Sequence, residues 1–225
     1  MKTLTFSFLI YFLLSALFVN AQNADKGKYS YAVIGGLNMQ TLNGKNPDGT
    51  NLDNRLKPGY LVGVNVSIPI VPMFFFQPGL LYIIKGANHV AEQSTSKYSL
   101  SYVEMPLNVV YKSLLGNGYI MIGFGPYISY GVGGKVLTKS GSETTETAVE
   151  FRNVVMIGDP LFVNYFRPID AGGNAFAGYE MASGIFCQLN TQLGMLKINP
   201  EDRRIQNDLS SLKNAGFGIS TGYRF

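Results

Sequence analysis

The sequence predicts an all-β protein: an eight-stranded, antiparallel, up-and-down transmembrane β-barrel. Three observations carry this. Apolar and polar residues alternate with a period of two in eight runs, the connections between the runs alternate between long and short, and tyrosine and phenylalanine gather at both ends of the apolar faces. Successive strand side chains point to opposite faces, so this alternation separates a face suited to lipid from one suited to water.

The first run, 29–41, sets Tyr31, Val33, Leu37 and Met39 against Ile34, Gly36 and Asn38. The second, 58–70, is the most regular, with Tyr60, Val62, Val64, Val66, Ile68 and Ile70 on one face. The third, 73–86, turns Phe74, Phe76, Leu80 and Tyr82 outward against Gln77, Gly79 and Lys85. In the fourth, 97–112, Val103, Met105, Leu107, Val109 and Tyr111 oppose Tyr102, Glu104, Asn108 and Lys112. The fifth, 119–132, alternates Ile120, Ile122, Phe124, Ile128 and Tyr130 with Met121, Tyr127 and Ser129. The sixth, 169–181, sets Ala175, Ala177, Tyr179 and Met181 against Asp170, Asn174, Phe176 and Glu180. In the seventh, 184–198, Ile185, Cys187, Leu189 and Leu193 oppose Gln188, Asn190 and Gln192. The eighth, 213–225, places Phe217, Ile219, Tyr223 and Phe225 outward and Asn214, Ser220 and Arg224 inward.

Polar stretches at 43–57, 87–96, 133–168 and 199–212 alternate with turns at 71–72, 114–118 and 182–183. Short turns on one side and long loops on the other are the pattern of a membrane barrel, and an even strand number returns both termini to the short-turn side. Soluble up-and-down barrels lack this systematic asymmetry. Tyr60, Tyr82 and Tyr130 fall near the long-loop ends of their runs, and Phe74, Phe76, Tyr111, Tyr179, Tyr223 and Phe225 near the short-turn ends. None of the outward residues named above is Lys, Arg, Asp or Glu, as the cost of charge in lipid demands.

Residues 1–21 read as a cleaved signal peptide: Met1-Lys2-Thr3 is basic, 4–18 is apolar, and Val19-Asn20-Ala21 precedes a cut ahead of Gln22. The apolar stretch is shorter than the roughly 20 residues of a spanning helix. The remainder, 22–225, fits a single barrel domain with a long third outer loop at about 133–168. Hydrophobic residues make up 46% and charged residues 14%, with 26 glycines, 14 tyrosines and 15 phenylalanines, a composition suited to a wall with lipid outside. A net charge of +4 gives no case for nucleic acid. The single Cys187 cannot form an intramolecular disulfide, and its parity with Leu189 and Leu193 puts it toward lipid.

Catalytic chemistry finds no support. The lone His89 has no second histidine or cysteine to complete a zinc site or triad, and Asp48, Asn51 and Asp53 lack calcium-loop spacing and read as a solvated turn. No cofactor or metal is expected, and the protein reads as a non-enzyme. The inward charges are more informative. Glu104, Lys112, Glu180 and Arg224 face the lumen, with Lys85 and Asp170 nearer the outer rim. An eight-stranded barrel has an interior that side chains can just fill, so these charges are expected to pair as a plug, with Lys112, Glu180 and Arg224 at one level and Glu104 deeper. The alternative is a lumen that conducts small solutes or binds a ligand. In the third loop, Phe151, Met156, Leu161, Phe162 and Tyr165 either pack over the barrel mouth or form a partner-binding surface for an extracellular protein. A hairpin around Gly158-Asp159-Pro160 would organise that loop, and if it lay in the membrane the barrel would have ten strands.

The closing run resembles the final strand of bacterial outer-membrane barrels, whose assembly machinery reads a terminal aromatic, here Tyr223 and Phe225. Further pieces follow in order: I-G-G-L-N at 34–38, F-Q-P-G-L-L-Y at 76–82, Y-V-E-M-P-L at 102–107, G-P-Y at 125–127, A-G-Y-E at 177–180 and G-Y-R-F at 222–225. Together they resemble the small outer-membrane β-barrel family of Bacteroidota-type bacteria, often labelled PorT-like. The resemblance implies the barrel fold, the outer membrane of a Gram-negative bacterium, and contact with its lipid and its barrel-assembly machinery. It implies no shared reaction and no role in protein secretion.

Overall fold

The computed structural model describes residues 29–90, 94–205 and 208–225; the expected signal peptide, 1–21, lies outside them. Eight strands form a closed wall: β1 (Ser30–Lys45), β2 (Lys57–Val71), β3 (Phe74–Lys85), β4 (Ser94–Leu115), β5 (Gly118–Ser140), β6 (Ile169–Met181), β7 (Ile185–Gly194) and β8 (Ser211–Arg224). Each pairs antiparallel with its neighbours in the chain. β8 returns to β1 in a register running from Ala32 opposite Arg224 to Lys45 opposite Ser211. All eight predicted runs are strands, and β5 pairs directly with β6 from Tyr130 opposite Ile169 to Gly118 opposite Met181. No further pair of strands is inserted between them in the wall, so the barrel has eight strands and not ten.

Period-two alternation is visible in the burial. Val33, Leu37, Tyr60, Val62, Leu80, Ile122, Phe124, Leu189, Phe217 and Ile219 are exposed on the outer surface, while Ile34, Leu61, Ile83, Met121 and Ser220 are buried inside. The outward aromatics meet across strands: Tyr60 and Tyr82 have ring centroids 6.3 Å apart near the long-loop end, and Phe74 and Tyr111 are 5.2 Å apart near the short-turn end. Inside, the register sets Phe176 opposite Gly123 and Phe186 opposite Gly222. Each ring lies where a side chain on the facing glycine would sit, which explains part of the glycine content.

The third loop departs from expectation. Its first residues continue β5 to Ser140, the chain reverses at Gly141 with φ 59°, and Glu143–Phe151 folds back on β5, with Lys135 opposite Ala148 and Ser140 opposite Glu143. The hairpin therefore turns at 141–142 and not around Gly158-Asp159-Pro160. Its β-branched Thr144, Thr145 and Thr147 suit an extended arm. β4 and β5, at 22 and 23 residues, are about twice the roughly 9 to 11 needed to cross a bilayer. They carry the sheet beyond the barrel, where Asn88–Val90 and Asn54–Arg55 extend it on the other side.

Cys187 is exposed on the outer face of β7, in register with Tyr179 and Thr221. In folded protein its thiol is expected to react with a membrane-soluble maleimide and to resist a charged one. Rapid labelling by the charged reagent would place the thiol in water and break the parity assignment of β7.

Candidate functional site

Most of the lumen ion pairs join strands that are not neighbours in the wall and meet only across the interior. Near the short-turn end, Lys112 of β4 donates from Nζ to Glu180 of β6, at 2.9 Å to Oε1 and 2.8 Å to Oε2. Arg224 of β8 donates to the same carboxylate, Nε to Oε2, at 2.8 Å. One carboxylate thus lies between two cations. Arg224 also donates from Nη1 to Asn65 Oδ1 at 3.2 Å, and Phe186 and Phe75 pack against the Arg224 and Lys112 head groups.

Glu104 does not join this group. It lies in a second layer toward the long-loop end, where Lys85 Nζ sits 2.7 Å from Glu104 Oε2 and 2.9 Å from Asp170 Oδ2. Here one cation lies between two carboxylates. Ser129 and Gln192 each donate to Glu104 at 2.8 Å, Asn214 donates to Asp170 at 2.9 Å, and Lys85 Nζ lies 4.2 Å from the Tyr127 ring centre. Lys85 and Asp170 are both fully buried. The four-residue network read from the sequence is therefore two separate layers, with Lys85 and Asp170 completing the second. Between the layers lies a cavity of about 80 Å³, lined by nine Asn and Gln residues together with apolar ones such as Ile34, Leu61, Leu81, Ile83 and Phe176.

A closed eight-stranded wall, an apolar exterior and a charge-paired interior are the physical features of a barrel in lipid, and sequence comparison agrees. The family model described as outer membrane protein beta-barrel domain matches residues 20–199. The chain belongs to this outer-membrane barrel family. No curated protein sequence matches it significantly. Among solved structures, the attachment invasion locus protein Ail of Yersinia pestis aligns with 10% identity and a TM-score of 0.41, covering 88% of this chain and 99% of Ail. The Neisserial surface protein A, NspA, aligns with 8% identity and a TM-score of 0.43, covering 87% and 97%.

On this outer-membrane barrel the long-loop end carries a second constellation. Of the five third-loop residues singled out, Phe151 and Tyr165 turn into the structure. Phe151 packs edge-on against Tyr102 at 5.9 Å, and Tyr165, 8% exposed, lies between the Arg152 and Arg204 guanidinium groups at 5.7 and 5.6 Å. Met156, Leu161 and Phe162 face outward, joined by Ile157, which the sequence reading passed over.

This tip is braced. Asp159 accepts from the Met156 backbone N–H at 2.8 Å and from Arg152 Nη1 at 3.2 Å, and Arg204 donates to the Pro160 carbonyl at 3.2 Å. Arg204 is itself held by Asp202 at 2.6 Å, and Glu201–Asp202 pairs in parallel with Val154–Val155, which ties the third loop to the fourth. The hydrogen bond from Arg204 holds the Asp202 carboxyl below the usual carboxylate range, so its bracing is complete at neutral pH and fades as pH falls through that lowered value.

Other residues weighed for chemistry have local roles. His89 Nδ1 lies 3.0 Å from Asn54 Oδ1 in the outer sheet, and Asp48 accepts from the backbone and hydroxyl of Thr50 within its turn. Among the described residues, no group of three or more His, Cys, Asp or Glu side chains is placed to hold a metal.

Removing the shared carboxylate leaves two buried cations facing each other. Glu180→Ala is expected to destabilise the refolded barrel by about 3–5 kcal/mol, read as a lower urea midpoint, with Glu180→Gln falling between it and the wild type. An unchanged midpoint in Glu180→Ala would remove the layer from the stabilising interactions.

Proposed function

We propose that this protein is an integral outer-membrane barrel with a structural or interaction role through its long outer loops, its lumen plugged by the two ion-pair layers. The observation that carries this reading is the braced apolar tip: Ile157 is 85% exposed, Leu161 85% and Phe162 79%. Four backbone and side-chain contacts involving Asp159 and Arg204 fix a turn whose apolar side chains stand in solvent. Exposed apolar area of this kind favours a partner, at about 25 cal/mol per Å² removed from water. The partner class is an extracellular protein or surface, and Met156, Leu161 and Phe162 are its contact residues, with Phe151 and Tyr165 supporting them from below.

Several finer assignments belong to the same proposal. Residues 1–21 are removed on export, leaving 22–225 as the barrel domain, and the ordered motifs support a PorT-like member from Bacteroidota-type bacteria. The long loops face outward from the cell, lipid surrounds the wall, and Tyr223 with Phe225, their rings 4.9 Å apart, serves the barrel-assembly machinery. Nothing in the site calls for catalysis. The rival reading, a small-solute channel or ligand-binding barrel, draws on the mid-lumen cavity, but paired charges lie on both sides of it.

A photo-crosslinking residue at Leu161 tests the interaction reading on intact cells. The expected result is a discrete protein adduct that is lost when Ile157 and Phe162 are replaced by serine in a barrel that still folds. A pattern indistinguishable from the same probe at Leu115, on the opposite end, would contradict it.

A further inference from the structure

The cavity between the ion-pair layers combines amide side chains with apolar ones such as Ile34, Leu61, Leu81 and Ile83. Nine of its lining residues are Asn or Gln, drawn from β1, β2, β3, β4, β6 and β7, and Glu104 is the one charged residue among them. Some of these amides are satisfied by each other and by the layers: Gln77 donates to Asn65 at 3.0 Å, Asn65 also receives Arg224, and Gln192 donates to Glu104. Others are not. Asn38, 4% exposed, has neither Nδ2 nor Oδ1 paired within the protein; Gln40 Oε1, Asn108 Oδ1 and Gln192 Oε1 are also buried without a partner. Four side chains with an unpaired polar atom on one cavity point to a ligand, because a buried polar atom left unpaired is costly and is ordinarily satisfied by protein or by ordered water.

The chemistry of the lining restricts what that ligand is. A carboxamide presents donors and an acceptor together, so the partner must both donate and accept. An ion of either sign would find no counter-charge, since Lys85 already neutralises Glu104 at 2.7 Å, and entering such a site would strip its hydration. A volume of about 80 Å³ exceeds the roughly 10–15 Å³ needed for one water molecule and leaves room for several. The glycines shape the space: Gln40 lies flat over Gly216 and Asn38 over Gly59, positions where any larger residue would push the amides into the cavity.

We infer that the middle of the barrel is a closed, neutral water compartment, in which a hydrogen-bonded cluster is held by the inward amides of β1, β4 and β7 and shut in by the ion-pair layer at each end. The lumen is then a sequence of charged layer, neutral wet chamber and charged layer, not a column of side chains alone. Lys112, Glu180 and Arg224 bound it on one side and Lys85, Glu104 and Asp170 on the other. This inference is independent of the loop tip and its partner.

The test uses the refolded full barrel in micelles. Proton NMR magnetisation transfer between water and the side-chain amide protons of Asn38 and Gln40 is expected to give cross peaks of the sign that long-lived bound water produces; absence of such peaks from both residues would overturn the inference. The near-isosteric Asn38→Leu supplies a second readout. In a wet chamber leucine breaks the cluster and lowers the urea midpoint. In a dry one it removes two unpaired polar atoms, so an unchanged or raised midpoint would overturn the inference.

Discussion

The constraint on which everything else depends is the lack of water in a bilayer's hydrocarbon core. Every backbone N–H and C=O there must be paired within the protein, and a sheet achieves this only by closing on itself. The pairing of β1 with β8, from Ala32–Arg224 to Lys45–Ser211, is therefore the contact that leaves the wall without an edge in lipid. Closure at eight strands sets the rest. It fixes a narrow interior, returns the short turns to one end, and sends the inward side chains of β4, β6 and β8 toward a common axis, where Lys112, Glu180 and Arg224 meet.

The two ion-pair layers are chemical opposites: one carboxylate between two cations near the short turns, one cation between two carboxylates near the long loops. Their formal charges, one net positive and one net negative, cancel along the barrel axis. Each layer contains pairs between strands that are not neighbours in the wall, Lys112 and Arg224 with Glu180 in one and Lys85 with Asp170 in the other, so it works as a cross-brace. Buried ion pairs contribute modest net stability against apolar replacements, while losing one partner is severe, so the layers act more on specificity of assembly than on total stability. The amides between them extend the same logic with neutral groups.

Much of this was legible in the sequence because lipid enforces a strict pattern. A period of two in Val62, Val64, Val66 and Ile68 or in Phe217, Ile219 and Tyr223 announces a strand and also names its outward face. Parity likewise sent Lys85, Glu104, Lys112, Asp170, Glu180 and Arg224 inward. Strand ends also set Lys112, Glu180 and Arg224 at one level with Glu104 deeper, but parity alone does not name the partners of Glu104, which are Lys85 and Ser129 on the two strands beside it. The third loop was less readable still. Gly158-Asp159-Pro160 has strong turn residues, yet the arms on either side of it bond elsewhere, Val154–Val155 to Glu201–Asp202 and Asn164–Phe166 to Val149–Phe151. Tertiary pairing there overrides the local signal, and it also decides that Tyr165 is clamped between arginines while Ile157 stands in solvent.

We propose a lumen closed to ions by paired charge at two levels, with the loops carrying the protein's role. Single-channel recording of the purified, refolded wild-type protein in a planar bilayer tests that claim most directly. The structure leads to a bilayer with no sustained unitary current over long recordings at either polarity. Reproducible current steps of constant size from the wild-type protein would contradict it and return the function to the lumen.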